Sequence, residues 1–276
     1  MNSPLVDTHV HVWDPRILRY PWLNNVPALD RTVLPHDIDR QAGATAMIFV
    51  QAGCLPEQAG GEVRWVVGLD WPELSGIVAD IRLDGPGLSD RLDELVREPL
   101  VVGVRHILQD HAPDTIATDA YGAGLIGLAD RGLVFDATVR ADQLQELADL
   151  HSRAPDAVIV VDHLGNPPVQ AGWHSDEAAA WRAGIRAVAH HSSANVKLSG
   201  VRFTDAAAPY FREALDAFGF NRAMLGSDFP VADPGEWRWE RVADALSPTA
   251  ESIDALRWRT ANTVYGVQPR PERNPE

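Results

Sequence analysis

The chain has one cysteine, Cys54, in 276 residues. An internal disulfide is therefore impossible, and a cysteine-rich zinc module is excluded. Basic residues are scarce as well. Lys and Arg number 24 against 39 Asp and Glu, a formal net charge of −15. Binding to phosphates needs a basic surface, so neither a nucleic-acid partner nor docking on anionic lipid is expected. No apolar run approaches the roughly 18 residues of a membrane span. The first residues lack the basic segment and apolar stretch of a secretory signal. The expectation is a cytoplasmic protein with a small-molecule substrate. Low-complexity linkers and composition breaks are also missing. Residues 1–276 thus read as one domain, with a polar, proline-containing tail over 269–276 expected to fray.

What is plentiful is histidine, with ten residues, and tryptophan, with nine. With cysteine nearly absent, any metal chemistry must use imidazole and carboxylate ligands. Short apolar runs rich in Val and Ile alternate with longer stretches of helical spacing. The runs cover 5–10, 45–50, 76–81, 101–105, 133–137, 157–161, 195–198 and 223–226. Their near-continuous apolar character fits parallel strands covered on both faces. Helices are expected over 61–68, 89–97, 121–131, 141–152, 175–189, 206–217, 237–245 and 251–261. Eight strands alternating with helices point to an α/β fold, a (β/α)₈ TIM barrel. The alternative, a doubly wound sheet, usually has a Gly-rich turn after its first strand. Here that strand ends in Thr8-His9-Val10-His11. The long connection over 14–35 lacks clear periodicity and is a candidate functional loop.

Several of the strand candidates end in titratable residues. On a strand, side chains alternate between faces, so Asp7, His9 and His11 share one face. In a barrel this places two imidazoles at the C-terminal mouth, where active sites sit, and two such rings can chelate one divalent ion. A hydrogen-bonded core pair is the other reading. The run 158–161 ends in Asp162-His163 before turn residues, a site either for a ligand or acid/base group or for a loop cap. The run 223–226 ends in Ser227-Asp228-Phe229-Pro230, where an aspartate alone would usually cap a helix. The recurrence of such endings at one mouth is the signal. At the fourth strand Arg105 offers a rigid fork for a carboxylate or oxyanion. His106 lies on the opposite strand face. Lys197, inside an apolar strand, is costly to bury unless paired or used, and is a candidate substrate contact. Trp13 and Trp22 on the first loop are candidate pocket walls or simple loop anchors.

The segments VDTHVHVWDP, GVRH, DHLGNP, VKLSG and MLGSDFPV, in this order, resemble the amidohydrolase-related lactonases, of which L-fuconolactonase is a member. The resemblance runs from about residue 6 to 265. It implies a distorted barrel that hydrolyses small lactones or related esters. It matches His9 and His11 to the strand-one pair, His163 to the later histidine, and Asp228 to the strand-eight aspartate that activates water. Those four residues would hold one divalent metal, zinc fitting best, although some members of the group work without a required metal. The fifth strand, 133–138, lacks the histidine common in amidohydrolases, and Arg105 and His106 replace the usual bridging residue on the fourth. A two-metal centre is therefore not expected. Phe229 stands where relatives commonly carry Trp. Asp228 is expected to act as general base, with His163 and Arg105 assisting. Trp13, His106 and Lys197 are candidate substrate contacts. Two alternatives share these residues: a metal-dependent decarboxylase of the same superfamily, and a non-catalytic ligand-binding barrel.

Overall fold

The computed structural model describes residues 4–39, 43–112, 114–232, 242, 246 and 249–268. Eight parallel strands lie in sequence order: β1 Val6–Val10, β2 Ala46–Val50, β3 Leu74–Asp80, β4 Val101–Ile107, β5 Val134–Thr138, β6 Ile159–Val161, β7 Ala194–Leu198 and β8 Ala223–Leu225. The sheet closes where Val10 bridges Phe229, His11 N–H donates to the Phe229 carbonyl and Thr8 Oγ1 donates to the Leu225 carbonyl. This seam is a single bridge rather than a ladder, because β8 is three residues long and the β1 register shifts between Asp7 and Val10. The barrel is thus distorted, as the resemblance implies.

All eight expected strands form. Their apolar runs are buried on both faces, between an inner layer such as Ile48, Val78, Val134 and Val160 and the outer helices. The helices are α1 Ala59–Val67, α2 Leu88–Leu95, α3 Asp119–Ala129, α4 Leu144–Arg153, α5 Asp176–Ala189 and α6 Ala208–Phe218. Caps set several starts. Thr118 and Ser175 accept backbone N–H groups from Tyr121 and Ala178, satisfying orphan donors at the first turns of α3 and α5. The expected helix 237–245 lies almost wholly outside the described residues, as does the tail 269–276.

The last helical region differs from the single helix expected over 251–261. It comprises α7 Ala250–Asp254, a π turn over Ala255–Arg259, and α8 Thr260–Tyr265. Tyr265 packs with Val6, Val78, Val134 and Met224, so α8 helps fill the barrel interior. The first loop is also more regular than its sequence suggests. Pro21–Asn25 forms a 3₁₀ turn and Trp13 pairs antiparallel with Val33.

Candidate active site

Four ligand-type side chains converge at the C-terminal mouth. Asp228 Oδ1 lies 3.6 Å from His9 Nε2, 3.3 Å from His11 Nε2 and 3.9 Å from His163 Nε2. The two strand-one imidazoles meet at 3.2 Å, Nε2 to Nε2. All four residues are buried or nearly so. Asp7 does not join them, although it alternates in phase. Its carboxylate accepts the backbone N–H groups of His9 and Ser227 and ties β1 to the segment after β8.

The local backbone is shaped for this convergence. His163, Leu164, Asn166 and Asp228 all have positive φ, a conformation costing about 1 kcal/mol or more per non-glycine residue and concentrated at functional sites. Two glycines make room. A Cβ on Gly226 would lie 2.7 Å from His9 Cβ, and one on Gly200 would lie 2.3 Å from His163 Nδ1.

The outer ring nitrogens are also held. His11 Nδ1 lies 2.7 Å from the Val50 carbonyl, which only accepts, so Nδ1 carries the proton and Nε2 presents a lone pair. Arg105 Nη1 donates to His9 Nε2 at 3.2 Å, and Nη2 donates to the Gln51 carbonyl at 2.5 Å. His163 Nδ1 sits 2.9 Å from Ser199 Oγ. Burial lowers the proton affinities of His9 and His11, which favours the neutral rings that ligate metals. Burial alone would raise Asp228, but His163, His11 and His9 hold it below the usual carboxylate range, so it stays ionised.

Imidazole nitrogens and a carboxylate oxygen gathered within 3.2–3.9 Å suit a cation among them. Tetrahedral zinc with nitrogen and oxygen ligands at about 2.1 Å spaces those ligands about 3.4 Å apart. His9, His11 and Asp228 therefore fit one divalent ion by donor chemistry and spacing, with His163 a further nitrogen 3.9 Å from Asp228. Arg105 shares the His9 lone pair on one side of that position.

A cavity of about 620 Å³ opens above this cluster. Its floor carries His11, Arg105, His163 and Asp228. Trp22, Leu55 and Ile107 are apolar lining residues, and the Gln109 and Asn166 amides line it too, Asn166 Nδ2 donating to Gln109 Oε1 at 3.3 Å. A larger cleft, about 920 Å³, lies between α1 and α2 and contains none of the clustered histidines.

Three expected substrate contacts are placed elsewhere. Trp13 is fully buried, donating Nε1–H to the Arg31 carbonyl and meeting Trp22 edge-on; Trp22 is the tryptophan on the cavity wall. His106 points outward, as strand alternation requires, with Nδ1 2.7 Å from Tyr121 Oη on α3. Lys197 is fully buried beneath the cluster, paired with Asp136 at 2.5 Å and Asp162 at 3.3 Å. Sequence reasoning missed Asp136 and Asp162 as its neighbours. A buried lysine on an inward strand position should have prompted a search for inward acids on adjacent strands.

Residues 6–267 match the family model for amidohydrolases. L-fucono-1,5-lactonase of Burkholderia multivorans is 31% identical over 95% of this chain and 93% of that protein. L-fucono-1,5-lactonase of Burkholderia ambifaria is 28% identical over 90% and 91%. Among solved structures, an amidohydrolase from Burkholderia multivorans with bound HEPES superposes with a TM-score of 0.83 at 27% identity, covering 96% of this chain and all of that one. A second crystal form of it, with bound zinc, gives 0.81 at 26% over the same shares. With its whole barrel matched and a relative above 30% identity covered almost end to end, the chain belongs to the amidohydrolase family.

Proposed function

We propose that this protein hydrolyses a small, neutral lactone of monosaccharide size, with Asp228 as general base. The observation that carries the reading is the Asp228 carboxylate held within 3.9 Å of three imidazole nitrogens in the lining of a 620 Å³ cavity. The lactonase names of the two Burkholderia relatives support the reaction class.

Lactone opening joins a water oxygen to the acyl carbon and breaks the bond from that carbon to the ring oxygen. Asp228 accepts the proton the water loses and returns it to the departing ring oxygen. Arg105, buried at the cavity floor, supplies fixed positive charge to the oxygen that becomes anionic. His163, on the same floor and 3.9 Å from Asp228, orients the attacking water and the carboxylate. A divalent ion held by His9, His11, His163 and Asp228, zinc fitting best, would polarise the carbonyl and acidify water when bound.

Cavity charge supports a neutral substrate. Among the described lining residues Arg105 is the one arginine or lysine, and its charge serves the reacting oxygen. A substrate carboxylate would thus find little uncommitted positive charge. The apolar lining residues Trp22, Leu55 and Ile107 suit a ring face, and the Gln109 and Asn166 amides suit hydroxyls.

The test is a panel of sugar lactones, carboxylated lactones and hydroxybenzoates, read with a pH indicator and a CO₂ detector, with and without chelator. Release of one acid equivalent from neutral lactones is expected. Release of CO₂ from hydroxybenzoates, or silence on every lactone, would overturn the proposal.

A further inference from the structure

His9 is flanked by donors on both sides. Arg105 Nη1 lies 3.2 Å from its Nε2, and Lys197 Nζ lies 3.4 Å from its Nδ1. A neutral imidazole accepts at one nitrogen only, so one of these approaches must yield. Asp162 decides which. Its Oδ1 is buried without a hydrogen-bond partner, 3.2 Å from His9 Nδ1 and 3.3 Å from Lys197 Nζ. That oxygen has Lys197 as an ion-pair neighbour but no hydrogen bond, a costly state for a buried carboxylate that a proton on His9 Nδ1 relieves. That tautomer leaves Nε2 free to accept from Arg105 and to face the site.

Asp162 is itself held from behind. Thr138 Oγ1 donates to its Oδ2 at 2.8 Å. Lys197 bridges it to Asp136 on β5, and Tyr265 Oη donates to Asp136 Oδ1 at 2.6 Å. Asp136, Asp162 and Lys197 are fully buried, and Tyr265 is the last residue of α8. The chain Tyr265–Asp136–Lys197–Asp162 thus runs from α8 to the underside of His9.

We propose that these four residues are positioning residues that fix His9 as the Nδ1–H tautomer, with Nε2 aimed into the site, and that α8 is thereby part of the functional apparatus. The proposal rests on the reading of the site above, but its primary readout needs no substrate. Failure of the lactone panel would leave the tautomer result standing, and the reverse also holds.

The experiment is a long-range ¹H–¹⁵N spectrum of histidine-labelled protein at mildly alkaline pH, as purified and after chelation, with His9 assigned by loss of its signals in His9→Gln. A protonated Nδ1 and an unprotonated Nε2 are expected in both samples. A protonated Nε2 in the chelated wild type would overturn the proposal without any variant. Asp162→Asn is expected to raise the Nε2–H fraction and to lower kcat about 10- to 100-fold, the range for outer partners of ligating histidines, with KM little changed. Tyr265→Phe, which removes one hydroxyl and keeps the packing, is the second variant should Asp162→Asn fold poorly. It is expected to lower kcat several-fold with KM and melting temperature near wild type. Tyr265→Phe with wild-type kcat, or a loss of kcat that only follows a loss of melting temperature, would count against a positioning role.

Discussion

Glu62 on α1 is buried at 1% exposure, and burial together with repulsion from Asp80 pushes its carboxyl up to about 8, although Ala52 N–H donates to it. A carboxyl raised in the folded state stabilises fully below its ordinary value near 4.5, and the benefit is lost as pH rises through about 8. Each tenfold change in proton affinity is worth about 1.4 kcal/mol, so the full loss is about 5 kcal/mol at most. Relaxation around the ionised group reduces this to roughly 2–5 kcal/mol. Glu62→Gln removes the titration and keeps an acceptor for Ala52. Its melting temperature relative to wild type is therefore expected to rise by about 4–10 °C between about pH 5 and about pH 9, at about 2 °C per kcal/mol. The same carboxyl steadies the chain at the end of β2, where the Val50 and Gln51 carbonyls hold His11 and Arg105. With that anchor kept, kcat of Glu62→Gln at neutral pH should stay near wild type. Thermal denaturation of both proteins across the pH range is the assay. A wild-type-to-variant difference that does not change with pH would refute the reasoning.

Other outcomes follow from the same contacts. Gly200→Ala drives a methyl to within 2.3 Å of His163 Nδ1 and forces a non-glycine residue to φ +64. It should cost about 1–3 kcal/mol of stability but about 100-fold in kcat, and steady-state kinetics beside a melting curve separate the two; a variant of wild-type kcat would show that His163 is not needed where it lies. His106→Gln should keep kcat and KM within about threefold, because the ring faces Tyr121 outside the barrel. A tenfold rise in KM would mean that residue 106 reaches substrate after all.

Much of the site was legible because strand period and strand ends carry it. The alternation that put His9 and His11 on one face also put His106 on the face opposite Arg105, and the side chains follow it. Near-continuous apolar runs marked all eight strands, since a strand buried on both faces tolerates little else. The rest depends on distant pairing. Lys197 read as a substrate contact because its partners lie 61 and 35 positions away, on β5 and just past β6. The offset of Asp7 from the cluster comes from the shifted register of β1, which no local pattern announces. Trp13 and Trp22 could not be told apart from spacing. The Val33 pairing that buries Trp13 leaves Trp22 against the cavity. The π turn before α8 likewise follows from packing, as α8 sends Tyr265 into the barrel.

The central claim is that Asp228 moves the proton of lactone hydrolysis at this mouth. Its most direct measurement compares wild type and Asp228→Asn on the neutral lactone that wild type opens fastest, following acid release, with bound metal quantified in both. The substitution keeps shape and removes the base. A loss of at least about 100-fold in kcat with the fold retained is expected. A variant keeping most of the wild-type kcat would contradict it.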